Sequence, residues 1–146
     1  MLSQTQIKNA RMTLDNKVSD YMLPVDGRML AQDASVGDAA TKFLSPETNI
    51  IFVVDDENHR QLKGIVTRSD MRQAQRKALS TTEKILDYAS RRVVLLRDES
   101  LIGDAVKVFA GNNPMHLKVD YIPIVDASNV LKGYLDATGL LPRITQ

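Results

Sequence analysis

Thr67 and Asp70, in Thr67-Arg68-Ser69-Asp70, place a hydroxyl and a carboxylate three residues apart, where the apolar run Leu62 to Val66 gives way to polar sequence. Two readings fit that spacing. The first is structural: Thr-x-x-Asp ahead of a helix is a capping box, in which each side chain satisfies the other residue's backbone N–H. The second is chemical. A strand feeding a helix N-terminus presents free N–H groups and the positive end of the helix dipole, which suit a phosphate. The hydroxyl can donate to that phosphate, and Arg68 can pair with it. A carboxylate in the first turn can accept two hydrogen bonds from a vicinal diol such as that of ribose.

Other chemistry-bearing residues are sparse. Cys is absent and His occurs twice, at His59 and His116, so thiolate zinc sites, cysteine nucleophiles and histidine-rich metal centres are excluded. Asp55-Asp56-Glu57 with His59 lacks the glycine and the spaced carboxylates of a calcium loop, and reads as a solvated turn. Arg72, Arg76 and Lys77 follow Asp70 at helical spacing and read as a solvated face, and Arg91-Arg92 as a surface pair. With no nucleophile–base pair, glycine-rich phosphate loop or metal set, no enzymatic reaction is expected.

The elements that position Thr67 and Asp70 occur twice. Val18-Ser19-Asp20-Tyr21-Met22 matches Ile85-Leu86-Asp87-Tyr88-Ala89, and Val36-Gly37-Asp38-Ala39-Ala40 matches Ile102-Gly103-Asp104-Ala105-Val106. Val53-Val54-Asp55 matches Ile124-Val125-Asp126, and Leu62-Lys63-Gly64-Ile65-Val66 matches Leu131-Lys132-Gly133-Tyr134-Leu135. The four blocks keep their order, which is the mark of an internal duplication. Each copy predicts strand, helix, strand, strand, helix. In copy one these are an extended Met29-Leu30, a helix opened by Ser35 and Asp38 and stopped by Pro46, a continuous apolar strand Ile50 to Val54, a polar turn, a strand Leu62 to Val66, and a helix from about Ser69 to Leu79. In copy two they are Val93 to Leu96, a helix from Ile102 ended by Gly111 and Pro114, a strand Tyr121 to Val125, a strand Val130 to Leu135, and a helix near Thr138, with Thr138 as its cap. The organisation expected is an N-terminal arm or helix over 1–16, copy one over 17–80 and copy two over 81–146.

Composition is ordinary for a globular α+β chain of 146 residues, with 43% hydrophobic and 25% charged residues and a net charge of +1. The charge is evenly spread, so no nucleic-acid partner is expected. The longest apolar run, Ile50 to Val54, is far short of the roughly 20 residues of a membrane span. The segment Met1 to Gln6 has neither the basic start nor the apolar stretch of a signal peptide, so a cytoplasmic location is expected.

The sequence resembles a pair of CBS domains, a Bateman module. Val18-Ser19-Asp20-Tyr21-Met22-Leu23-Pro24 is similar to that family's opening block, and Tyr121-Ile122-Pro123-Ile124-Val125-Asp126 to its middle strand. Gly64-Ile65-Val66-Thr67-Arg68-Ser69-Asp70 resembles its Gly-x-x-Thr-x-x-Asp ligand-binding block, and the likeness covers about residues 17–144. The resemblance implies two small sheets related by a pseudo-twofold, with a ligand cleft between the copies. It implies a regulatory module sensing AMP, ADP or ATP, with no catalytic cofactor. Asp70 would hold the ribose, and Thr67 the ribose or phosphate. Met29, Leu30, Ile51 and Phe52 would stand beside the base; Phe52, where the family usually has proline and copy two has Pro123, either stacks on the base or fills the core. Copy two carries Asp136 and Gly139 at the Thr and Asp positions, so one site per chain is expected. A homodimer is implied, built on the helices starting near Ser35, Ser69, Ser100 and Thr138, acting on an effector protein. The alternative is a ligand-free dimerisation or scaffold pair that docks on a partner.

Overall fold

The computed structural model describes residues 12–144. These form two three-stranded mixed sheets with helices, an α+β fold, and the chain divides into two compact units. One comprises Val25–Val93 with Ser128–Leu131; the other comprises the residues up to Pro24, Val94–Ala127 and those from Lys132 onward.

In the Val25–Val93 unit, β1 (Met29–Ala31) runs parallel to β2 (Ile50–Val54), which pairs antiparallel with β3 (Leu62–Thr67). All five residues of β2 are buried, as a continuous apolar central strand should be. Helix α1 (Val36–Phe43) begins at Ser35 with a complete capping box: Ser35 Oγ accepts from the Asp38 N–H at 3.0 Å, and Asp38 Oδ2 accepts from the Ser35 N–H at 3.0 Å. Helix α2 (Arg68–Lys77) follows β3 without a loop. The core under these helices joins Val36, Ala39 and Phe43 of α1 and Met71 and Ala74 of α2 to Ile51, Val53 and Val66 of the sheet. Burying this apolar set is the main force holding the unit together.

In the other unit, β4 (Leu96–Arg97) runs parallel to β5 (Tyr121–Val125), and β6 (Leu131–Asp136) lies on the far side of β5. The expected strand at Val93 to Leu96 is thus shorter and later. Helix α3 (Ile102–Phe109) repeats the α1 stripe with Ile102, Ala105, Val108 and Phe109 buried. It has Leu101 where α1 has its serine cap, so only half of the box forms, Asp104 Oδ2 accepting from the Leu101 N–H at 2.9 Å. Helix α4 (Ala137–Leu140) is a single turn, continued by a 3₁₀ turn, Leu141–Arg143. Of the expected N-terminal arm, residues 1–11 lie outside the described residues, but Met12 is fully buried and bridges to Ile144.

The opening block of each repeat packs on the sheet of the other repeat. Val18 and Tyr21 belong to the core of Ile122, Ile124 and Leu135, while Ile85 belongs to the core of Ile51 and Val53. Leu23 exchanges two backbone hydrogen bonds with Tyr134, at 2.8 and 3.1 Å, and Ser90 exchanges two with Ile65, at 2.9 and 3.0 Å. Both exchanges run past a glycine. A Cβ on Gly133 would stand 2.8 Å from the Leu23 carbonyl oxygen, and one on Gly64 would stand 3.0 Å from that of Ser90. The Leu-Lys-Gly block of each repeat therefore leaves room for another backbone, a use of glycine inside a strand that close approach requires. The compact units accordingly do not divide at residue 80, where the repeats do.

Candidate functional site

Strand β3 delivers Thr67 to the N-cap of α2 in extended conformation. Asp70 Oδ2 accepts from the Thr67 N–H at 2.9 Å and from the Thr67 hydroxyl at 3.1 Å, and Thr67 Oγ1 accepts from the Asp70 N–H at 3.3 Å. The structural reading of this tetrapeptide is realised as a complete capping box. Both residues are half-buried, and among the described residues Asp70 Oδ1 has no hydrogen-bond partner.

Sheet register sorts the other expected site residues onto two faces. Met29 pairs with Phe52, Phe52 with Ile65, and Ile50 with Thr67, so the two-residue pleat puts Met29, Phe52 and Thr67 on one face. Phe52 is fully buried there. Leu30 and Ile51 stand on the opposite face, in the core under α1 and α2. The sheet therefore brings Met29 and Phe52, not Leu30 and Ile51, to the Thr67 side.

Arg68 is directed elsewhere. Its guanidinium donates to the carbonyl oxygens of Phe43 (3.2 Å) and Ser45 (3.0 Å) and to Asn49 Oδ1 (3.3 Å), and it stacks 5.4 Å from the centre of the Phe43 ring. A cation on the last carbonyls of α1 complements the negative end of that helix. The expected partner of a phosphate thus serves the α1 C-terminus, because Phe43 offers both a carbonyl and a ring face within its reach. Sequence spacing on α2 carries no signal of a contact with α1.

The equivalent junction in copy two is built differently. The N-cap of α4 is Asp136, which accepts from the Thr138 N–H at 3.0 Å; Thr138, expected to cap, is instead the donor. A carboxylate at the N-cap is as good a cap as a hydroxyl, which is why it displaces Thr138. Gly139, at the Asp70 position, has open space around its missing Cβ. A small cavity of about 60 Å³ beside them is lined by Tyr21, Leu135, Asp136, Gly139 and Arg143 among others, with the Arg143 guanidinium 5.3 Å from the centre of the Tyr21 ring.

The acidic turn 55–61 folds on its own side chains. Asp55 Oδ1 accepts from the N–H groups of Asp56 and Gln61, and Asp56 Oδ1 from those of Asn58 and His59. His59 Nδ1 lies 2.7 Å from Asp56 Oδ2. This bond and the backbone N–H of His59 hold the Asp56 carboxyl below the usual carboxylate range, and the same side-chain bond, with the Asp56 charge, pushes the His59 imidazole up. Ligand-type atoms of Asp55, Asp56 and His59 fall within 4.8 Å of one another, and these turn bonds account for their approach.

Residues 18–77 match the family model described as CBS domain. The matched segment holds β1 to β3, α1 and α2, the elements that carry the candidate site. Solved structures extend the likeness of fold to the whole CBS pair. CBSX2 of Arabidopsis thaliana, solved in complex with AMP, is 21% identical with a TM-score of 0.71 over 87% of this chain and 94% of that one. The CBS pair of MJ0100, in complex with 5′-methylthioadenosine and S-adenosyl-L-methionine, is 20% identical with a TM-score of 0.65 over 85% and 91%. The cytosolic domain of the Mg²⁺ channel MgtE, in complex with ATP, is 17% identical with a TM-score of 0.67 over 87% of this chain and 48% of that one. No curated protein matches the chain. Among the described residues, no helix of the CBS pair is long and apolar enough to cross a membrane.

Proposed function

We propose that this CBS pair is a cytoplasmic regulatory module that binds an adenosine nucleotide, AMP, ADP or ATP, at the β3–α2 junction, with one main site per chain and no catalytic step. The observation that carries the reading is the half-buried Thr67–Asp70 pair at a helix N-terminus, on the same sheet face as Met29 and Phe52. Asp70 Oδ1 is open to a ribose hydroxyl, and the first-turn N–H groups of α2 suit a phosphate. The module acts as a homodimer and passes its ligand state to an effector protein, since a binding change without a differentially bound partner has no output. The adenosyl ligands of the three similar structures support the ligand class.

Calorimetric titration with AMP, ADP, ATP and S-adenosyl-L-methionine tests this. Saturable binding of an adenosine nucleotide is expected, weakened by Asp70→Ala and by Asp70→Asn; the second variant keeps an oxygen for the cap and so separates ligand contact from folding. Absence of binding by all four would overturn the reading in favour of a ligand-free scaffold. The engagement of Arg68 on α1 is the observation that favours that alternative.

A further inference from the structure

The β6–α4 junction ends beside a guanidinium. Asp136 and Gly139 stand where the β3–α2 junction has Thr67 and Asp70, so Arg143 falls where α2 has the fully buried Ala74. A charge at that place of a continued helix would be buried at a large desolvation cost. Instead α4 is a single turn, a 3₁₀ turn opened by Pro142 follows it, and Ile144 bridges to Met12. Arg143 is thereby turned over Tyr21, its guanidinium 5.3 Å from the ring centre, and it stays exposed to solvent.

The cavity of about 60 Å³ at this stack has Asp136 and Arg143 as its two charged lining residues, with Tyr21 and Leu140 as apolar walls. Asp136 Oδ1 is spent on the Thr138 N–H, while Oδ2 has no hydrogen-bond partner among the described residues. Neither Asp136 nor Arg143 forms an ion pair with a described residue. An aromatic face and a spare carboxylate oxygen both attract a cation, and the carboxylate repels a phosphate. The hollow has the volume of about two waters, which suits a charged head group and not a nucleoside. In copy one the matching tyrosine, Tyr88, gives its hydroxyl to Glu83 at 2.7 Å, and among the described residues no cation stacks on it.

We propose that the β6–α4 junction is a self-occupied cation site, with the Arg143 guanidinium as its resident and small guanidinium or primary ammonium compounds as the class that can replace it. This goes beyond the nucleotide reading of the β3–α2 junction and stands or falls apart from it. The test is chemical rescue in the full chain. Arg143→Ala empties the site, and methylguanidinium at about 10 mM is expected to raise the unfolding midpoint of this variant by about 2–4 °C over equal sodium chloride. The parent, already occupied, is expected not to respond. Asp136→Asn, which keeps an oxygen for the cap, is expected to abolish the rescue when combined with Arg143→Ala. The Tyr21 ring-proton resonances, displaced by Arg143→Ala, are expected to return toward their parent positions when methylguanidinium is added, a response that general stabilisation does not give. Absence of rescue, an equal response of the parent, rescue that survives Asp136→Asn, or Tyr21 resonances indifferent to methylguanidinium would each overturn the site.

Discussion

The β3–α2 and β6–α4 junctions descend from one duplicated block and have come to different ends. At the first, a hydroxyl and a carboxylate complete a reciprocal box on a ten-residue helix, with one carboxylate oxygen left over. At the second, a lone carboxylate caps a four-residue helix, and a glycine follows where the second carboxylate would stand. A cap needs only one acceptor, so both junctions remain stable helix starts. Gripping a diol needs an acceptor beyond the cap: Asp70 Oδ1 is such an acceptor inside the first turn of α2, whereas the spare oxygen of Asp136 belongs to the N-cap residue itself and Gly139 offers none. Fold and ligand chemistry thus rest on different atoms of the same residues, and one can be lost while the other is kept.

The largest effect expected concerns ligand. Removing the Asp70 carboxylate should cost about 1.5–3 kcal/mol of binding, roughly 10- to 150-fold in affinity, while Asp136→Ala should leave affinity unchanged or slightly improved. Titration should give one nucleotide per chain; two equivalent sites, or a large loss on Asp136→Ala, would break the asymmetry. Next come the two glycines. Gly133→Ala drives a Cβ to 2.8 Å from the Leu23 carbonyl oxygen and should destabilise the fold by about 1–3 kcal/mol in urea titration. Gly64→Ala, with 3.0 Å to the Ser90 oxygen, should cost less. The reverse order would mean that the exchanged blocks are not held equally tightly.

Ser35→Ala brings α1 to the state α3 already has at Leu101, without a side-chain acceptor at the N-cap, and should lower stability by about 1 kcal/mol. The smallest effect is electrostatic. His59 gains a proton more readily when folded, so its pairing with Asp56 contributes fully below the ordinary histidine pKa and is lost as pH rises through the higher folded value. An NMR titration should show the His59 midpoint fall in Asp56→Asn. The copy-two turn, Asp126-Ala127-Ser128-Asn129, has no histidine and should show no such step.

Periodicity alone located α1, α2 and α3, the buried central strands and the Ser35 and Thr67 caps, because these are set by residues within a few positions of one another. The Thr67–Asp70 pair was legible as a Thr-x-x-Asp spacing, and as a candidate ligand site through the resemblance to the CBS block. The partner of Arg68 was hidden, since nothing in the spacing of α2 reports the C-terminus of α1. The faces of Leu30 and Ile51 were hidden too, because an unbroken apolar strand has no alternation to read. The shortness of α4 was signalled by Gly139 and Pro142. The exchange of opening blocks had a signal as well: Gly64 and Gly133, each inside a strand, mark a close approach of another backbone without saying which one.

That exchange governs how the chain acquires its structure. The segment from Met12 to Pro24 is made early, yet its sheet partners begin at Val94 and end beyond Lys132. It must remain unpaired while the Val25–Val93 region, whose contacts are nearer in sequence, draws together. Contacts so distant along the chain are slow to close, which puts docking of the leading segment late in folding. Expressing either repeat alone, cut at residue 80, would strand each opening block away from its sheet and leave an apolar strand edge bare, a recipe for association rather than for a smaller working protein.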